Sequence, residues 1–124
     1  MIERLKKRRD FLAAQKGRKA ARRAFVLEAR EREDDGASRF GFTVSKRVSK
    51  SAVERNRIRR RLKEAVRLAP AEAASPGHDY VLVGRRSALD EPFGKLKLDV
   101  ASALAQASAG SVEQRDAAAR NPVQ

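Results

Sequence analysis

The stretch Phe40 to Arg67, FGFTVSKRVSKSAVERNRIRRRLKEAVR, decides how this chain folds. Its first part alternates: Phe40, Phe42 and Val44 share one side of an extended chain, and Gly41, Thr43 and Ser45 share the other. That is the period of a strand in a sheet covered on only one side. The second part changes period. Ile58, Leu62, Ala65, Val66 and Ala69 recur at helical spacing and predict a single apolar stripe on a helix from Ala52 to about Leu68. Ser51 is placed to cap it, Glu54 three residues on completes the pattern of a capping box, and Pro70 ends it. Between strand and helix lies a basic corner, Ser45-Lys46-Arg47, with Lys50 just beyond.

Downstream, Pro76-Gly77 marks a loop, and the near-continuous apolar run Tyr80-Val81-Leu82-Val83 within Asp79 to Arg85 predicts a central strand. The strand–helix–strand unit from residue 39 to 85 then reads as a parallel crossover, right-handed by the usual rule. Ser87 or Asp90 can cap a last helix from about Glu91 to Ser108, with Leu96, Val100, Ala103, Leu104 and Ala107 buried and Gly110 as its stop. Upstream, Phe25 to Ala29 reads as a strand, the acid-rich segment Glu31 to Ser38 as a turn, and residues 18–23 as basic loop or edge strand. Residues 2–15 read as a first helix, with Ile2, Leu5, Leu12 and Phe11 as a loose apolar stripe and Gly17 beyond its end. The expectation is one domain over residues 1–108 and a disordered tail over 109–124.

The 124 residues carry a net charge of +13, which points to a polyanionic partner. The surplus is uneven: residues 1–30 carry +8 and residues 39–68 carry +9, whereas residues 31–38 carry −3 and residues 69–124 carry −1. The chain has no Cys, which excludes disulfides, thiol catalysis and thiolate metal sites and suits a reducing cytoplasm. No apolar run approaches the ~20 residues of a membrane helix, and neither basic block has the Trp-bearing apolar face of an interfacial helix.

The positive charge is densest on the central helix. Arg55, Arg59 and Lys63 fall at i, i+4 and i+8 and form a ridge beside the apolar stripe, while Arg57, Arg60 and Arg61 cover the outer surface. Arginine offers phosphate a planar, permanently charged fork. Asn56, between two arginines, can donate and accept towards a ribose hydroxyl, a base edge or a metal-bound water. Only Glu54 and Glu64 oppose these cations within the helix, so self-repulsion costs stability unless a polyanion neutralises it. Charge alone does not choose between RNA and duplex DNA.

The segment Arg55-Asn56-Arg57-Ile58-Arg59-Arg60 resembles the "RNR" signature of bacterial ribonuclease P proteins. Its surroundings agree: Phe42-Thr43-Val44-Ser45-Lys46-Arg47 resembles the family's strand entering a Ser-Lys-Lys/Arg corner, and Ala52-Val53 leads into the signature in the family manner. Arg4 to Phe11 resembles its first helix, Phe25-Val26-Leu27 its next main strand, and Asp79 to Arg85 its late strand. The ordered resemblance spans roughly residues 4–108. It implies an α+β fold, a two-layer α/β sandwich with a roughly four-stranded mixed sheet and three helices, like the second domain of a small-subunit ribosomal protein. Its crossover would be left-handed, against the rule invoked above.

The resemblance also implies a function. Such proteins are non-catalytic subunits of an endoribonuclease, in which a large RNA with Mg²⁺ removes the 5′ leader of precursor tRNA. The implied partners are the catalytic RNA and precursor tRNA, with no membrane and no DNA, in the cytoplasm, and the Mg²⁺ is held mainly by the RNA subunit and substrate. No catalytic and no metal-binding residue is expected. Arg55, Asn56, Arg57, Arg59, Arg60, Arg61 and Lys63 would meet the catalytic RNA. Phe11, Thr43, Ser45, Lys46, Arg47 and Asn56 would meet the tRNA leader, with Arg55 and Arg59 nearby, in a cleft between the sheet's open face and the first helix, with Phe11 stacking on a base or serving the core. Gln15 and Glu28 stand where the family often has aromatics, and an acid at residue 28 would repel phosphate.

Other candidates carry less. His78, the one histidine, reads as an exposed loop residue rather than a base or ligand. Glu31, Glu33, Asp34 and Asp35 could chelate Mg²⁺ but read more simply as a solvated hairpin tip. Ser45 and Lys46, adjacent on a strand, point to opposite faces and make a poor nucleophile pair. Phe40, Phe93 and Tyr80 read as core. The rivals are a ribosomal or assembly protein of the same size and charge, and a protein nuclease built on the acidic turn.

Overall fold

The computed structural model describes the backbone of residues 3–120 and the side chains of residues 3–108. The chain runs β1 (Glu3–Arg4), α1 (Arg8–Gln15), β2 (Arg18–Ala21), β3 (Phe25–Glu31), β4 (Arg39–Thr43), α2 (Ala52–Arg67), β5 (His78–Gly84) and α3 (Phe93–Arg120), with 3-10 turns at Ala71–Ala73 and Arg86–Leu89. The strands make one mixed sheet in the order β1-β4-β5-β3-β2. The fold is thus α+β, with three helices on an open sheet. β4 and β5 are parallel and joined through α2, and β3 pairs antiparallel with β5. β5 is covered on both faces, which explains its unbroken apolar sequence.

One face of the sheet carries the main core. Phe25, Leu27, Phe40, Tyr80 and Leu82 meet Ile58, Leu62, Ala65 and Val66 of α2 and Leu96, Val100, Ala103 and Leu104 of α3. Each large side chain there contributes ~1.5–3 kcal/mol by leaving water. Tyr80 stacks on Phe40 at 5.0 Å between ring centres, accepts the Ser75 N–H at 2.9 Å and shares a hydrogen bond with the Ser108 hydroxyl.

The structure departs from the sequence reading at several places. The first segment is not one helix: Glu3 and Leu5 donate N–H bonds to Ser38 and Phe40, adding β1 to the sheet as a short parallel fifth strand before α1 begins. Leu12 is exposed; Phe11 and Ala14 face the sheet instead, and Ile2 lies outside the described residues. The second sheet face is not bare, because α1 packs there on Val81 and Val83 with Leu5. Ser51 caps α2 by accepting the Glu54 N–H at 3.2 Å, but Glu54 does not close the box: its carboxylate accepts from the Ser49 hydroxyl and Arg86. α3 starts two residues later than the sequence suggests and passes Gly110 to Arg120, so that glycine is no stop. Residues 121–124 of the expected tail lie outside the described residues.

Candidate nucleic-acid interface

Register explains how the second face of the sheet acquires its chemistry. Pairing across β4, β5 and β3 sets Arg39, Asp79 and Arg30 side by side, and the next row on that face is Gly41, Val81 and Glu28. Asp79 is fully buried: Arg39 donates to both its oxygens at 2.7 and 2.8 Å, Arg32 donates at 2.7 Å, and Arg30 lies 3.4 Å away. Asp10 of α1, also buried, comes within 3.7 Å of Arg30 and 3.6 Å of Arg39, tying the helix to this row. Burial would push the Asp79 carboxyl up, but the hydrogen bonds from Arg39 and Arg32 outweigh it and hold the group below the usual carboxylate range. Glu28, expected to repel phosphate, is buried and paired with Lys19 of the neighbouring strand at 3.1 Å.

The next row, Thr43, Val83 and Val26, lies past this network and stays half-buried. Phe11 borders it. The ring is half-buried against Leu5, Ala14, Val81 and Val83 and lies directly over Gly41, where a β-carbon would overlap it. Glycine permits that close approach.

A cavity of about 440 Å³ opens where β1, α1 and the outer edge of β4 face α2. Leu5, Phe11, Phe40, Gly41, Phe42 and Val66 give it an apolar wall, and Arg4, Arg59, Lys63 and Arg67 bring cations to it, Arg67 already paired with Glu64, while Glu3 is the one acid in the lining. Flat rings beside cations suit a nucleobase with its phosphate. Arg59, Lys63 and Arg67 stand at i, i+4 and i+8, so the ridge that starts at Arg55 ends at this cavity. Of the residues expected at or beside the leader, Phe11 and Arg59 wall it. Thr43 lies on the adjoining sheet row, Ser45, Lys46 and Arg47 are exposed at the corner before α2, and Asn56 is exposed on the helix. Arg4, Phe42 and Arg67 join the site without having been expected there; the four-residue spacing continued from Lys63 is the signal that points to Arg67.

The cations of α2 fall into two groups. Arg57, Arg60 and Lys63 are exposed and have no hydrogen bond or ion pair among the described residues, and the same holds for Lys46, Arg47 and Lys50. The others are engaged within the fold. Arg55 donates to the Ser49 carbonyl at 2.9 Å, and Arg59 donates to Asn56 Oδ1 at 2.6 Å. Arg61 is not the outer-surface group the sequence suggests. It turns under the helix and donates to the carbonyls of Ala88 and Glu91, the latter at 2.7 Å, stitching α2 to the start of α3.

The remaining candidates resolve simply. His78 is buried rather than exposed; its Nδ1 lies 3.0 Å from the Pro76 carbonyl and its ring stacks on Tyr80. Asp34 is bound by Arg32 and by the Gly36 N–H, and its carboxyl is lowered to about 2 by those hydrogen bonds. Among the described residues, no group of three or more His, Asp or Glu side chains is arranged to hold a metal ion, and no helix is long and apolar enough to cross a membrane.

Residues 2–108 match the family model described as Ribonuclease P. The chain is 44% identical over 104 residues to the ribonuclease P protein component of Caulobacter vibrioides, covering 83% of this chain and 69% of that one. It is 44% identical over 111 residues to that of Gluconacetobacter diazotrophicus, covering 89% and 95%. Among solved structures it resembles the ribonuclease P protein of Thermotoga maritima with a TM-score of 0.70 and 27% identity, over 84% of this chain and 96% of that one.

Proposed function

This chain belongs to the ribonuclease P protein family, a component of an endoribonuclease that processes tRNA, and from that premise we propose that it is a non-catalytic, RNA-binding subunit with two separate contacts. The cations of α2 that make no hydrogen bond or close ion pair among the described residues, Arg57 and Arg60, dock on the catalytic RNA, and the corner Lys46-Arg47 stays with the leader, as the family resemblance implies. The cavity beside Phe11, with Arg4, Arg59, Lys63 and Arg67, holds a stretch of the unpaired 5′ leader of precursor tRNA. The observation that carries this reading is the division of α2: one flank bears exposed arginines that make no hydrogen bond or close ion pair among the described residues, and the other opens onto an aromatic-walled, cationic cavity.

The chemistry of each contact follows from the residues. Exposed guanidinium groups bind phosphates wherever they occur, so they position a folded RNA without reading its sequence. Phe11, held over Gly41, offers a base a preformed surface at little entropic cost. A site that grips the leader favours precursor over mature product, since the product has no leader to bind. The described side chains do not fit a protein-held Mg²⁺ site; in this proposal the ion is held by the catalytic RNA and substrate.

The test is reconstitution with ribonuclease P RNA and labelled precursor tRNA at low Mg²⁺. Stimulated leader removal is the expected result. No stimulation, with stable association to ribosomes instead, would replace this reading by that of a ribosomal protein. Cleavage without added RNA would replace it by that of a protein nuclease.

A further inference from the structure

Phe93, read as core in the sequence, does pack against the main core, but at the first position of α3, on the outer flank of α2, it is only half-buried. There it walls a shallow cleft of about 380 Å³ together with Arg57, Arg60, Arg61 and Glu64. The Arg61 guanidinium, fixed by the Ala88 and Glu91 carbonyls, lies 5.9 Å from the ring centre, and Lys97 Nζ lies 5.7 Å from it. Four cations therefore surround one accessible aromatic ring. The one carboxylate in the cleft, Glu64, is already bound by Arg67.

Core packing by itself does not account for the cations gathered beside the exposed part of the ring. Cations beside its π-face are attracted to it, but the positive charge they bring is left without a counter-ion. An unpaired nucleotide supplies both missing parts, a base for the ring and phosphates for Arg57 and Arg60. A duplex supplies only phosphates. We propose that Phe93 is a base-stacking contact for an unpaired nucleotide of the ribonuclease P RNA, with Arg57 and Arg60 holding the flanking phosphates. This deepens the docking half of the function proposed above and rests on it. The contact lies on the flank of α2 away from the leader cavity, so the protein would offer RNA two aromatic contacts with separate partners.

The chain contains no Trp, so Phe93→Trp creates a single fluorescent reporter. The full-length protein is titrated with ribonuclease P RNA of Caulobacter vibrioides, followed by anisotropy of labelled RNA and by indole emission. The expected result is quenching of the Phe93→Trp emission in step with binding at near wild-type affinity. Phe93→Leu, which keeps an apolar side chain, is expected to weaken affinity roughly five-fold or more with the salt slope unchanged, because Arg57 and Arg60 still hold their phosphates. Wild-type affinity in a folded Phe93→Leu, or indole emission unmoved at saturating RNA, would overturn the proposal while leaving the docking reading intact. If Phe93→Leu does not fold, the emission result alone decides. If the wild-type protein does not bind the RNA at all, both the docking reading and this proposal fall.

Discussion

The ring of Phe11 lies in the space a β-carbon on Gly41 would occupy. The residue expected to meet the leader is therefore held in place by a missing side chain on the strand beneath it. Gly41→Ala should push the ring outward at a cost of about 1–3 kcal/mol, the usual range for overpacking. Thermal unfolding checks the stability loss. Cleavage competition between precursor and mature tRNA should then show weaker discrimination, with binding to the catalytic RNA unchanged. Unaltered discrimination would separate Phe11 from the leader.

Arg57 and Arg60 make no hydrogen bond or close ion pair among the described residues and Arg61 does, although the three are near-neighbours in one run. Arg57→Ala with Arg60→Ala should weaken binding to the catalytic RNA and reduce the log-log salt slope by about one unit for each phosphate no longer neutralised, with little change in stability. Arg61→Ala should do the reverse. It leaves the Ala88 and Glu91 carbonyls without their donor and should cost on the order of 1–3 kcal/mol of stability, read by denaturant unfolding, while leaving the salt slope nearly intact.

Asp79 is buried among half-buried arginines, and its carboxyl sits below the usual range because Arg39 and Arg32 outweigh the cost of burial. A carboxyl lowered in the folded state binds protons more readily when unfolded. Its contribution to stability is therefore complete above the ordinary carboxylate pKa, ~3.9, and is lost as pH falls through the lower folded value. Stability should decline as pH drops below about 4. Asp79→Asn should destabilise the protein by ~1–3 kcal/mol at neutral pH, since the half-buried Arg39 and Arg32 lose the carboxylate that accepts their hydrogen bonds, and should flatten that acid limb. Urea unfolding at a series of pH values measures both.

Much of this architecture is readable from the chain, and the failures have physical causes. The strand-to-helix switch is legible because Phe40 to Arg67 carries two clean periodicities and a capped start. β1 is not, because two residues of edge strand are fixed by hydrogen bonds to Ser38 and Phe40, which leave no pattern in the side chains. The run of arginines shows where positive charge concentrates but not which cations remain free. Arg61 points inward because α3 begins beside it, and that neighbour comes from a distant part of the sequence. The cavity is half visible: the four-residue spacing of Arg59, Lys63 and Arg67 can be read, while the meeting of Phe11, Gly41 and α2 depends on sheet order. Glu28 and His78 defeat a sequence reading for the same reason, since their cross-strand or stacking partners are set by register and packing.

The central claim is that opposite flanks of α2 meet different RNA strands, and cross-linking tests it most directly. The chain has no Cys, so Arg57→Cys and Lys63→Cys, one on each flank, each accept one photoreactive label. In the reconstituted enzyme with precursor tRNA bound, the label at residue 63 should join the 5′ leader and the label at residue 57 the catalytic RNA. Both labels joining the same RNA, or the two patterns exchanged, would contradict it.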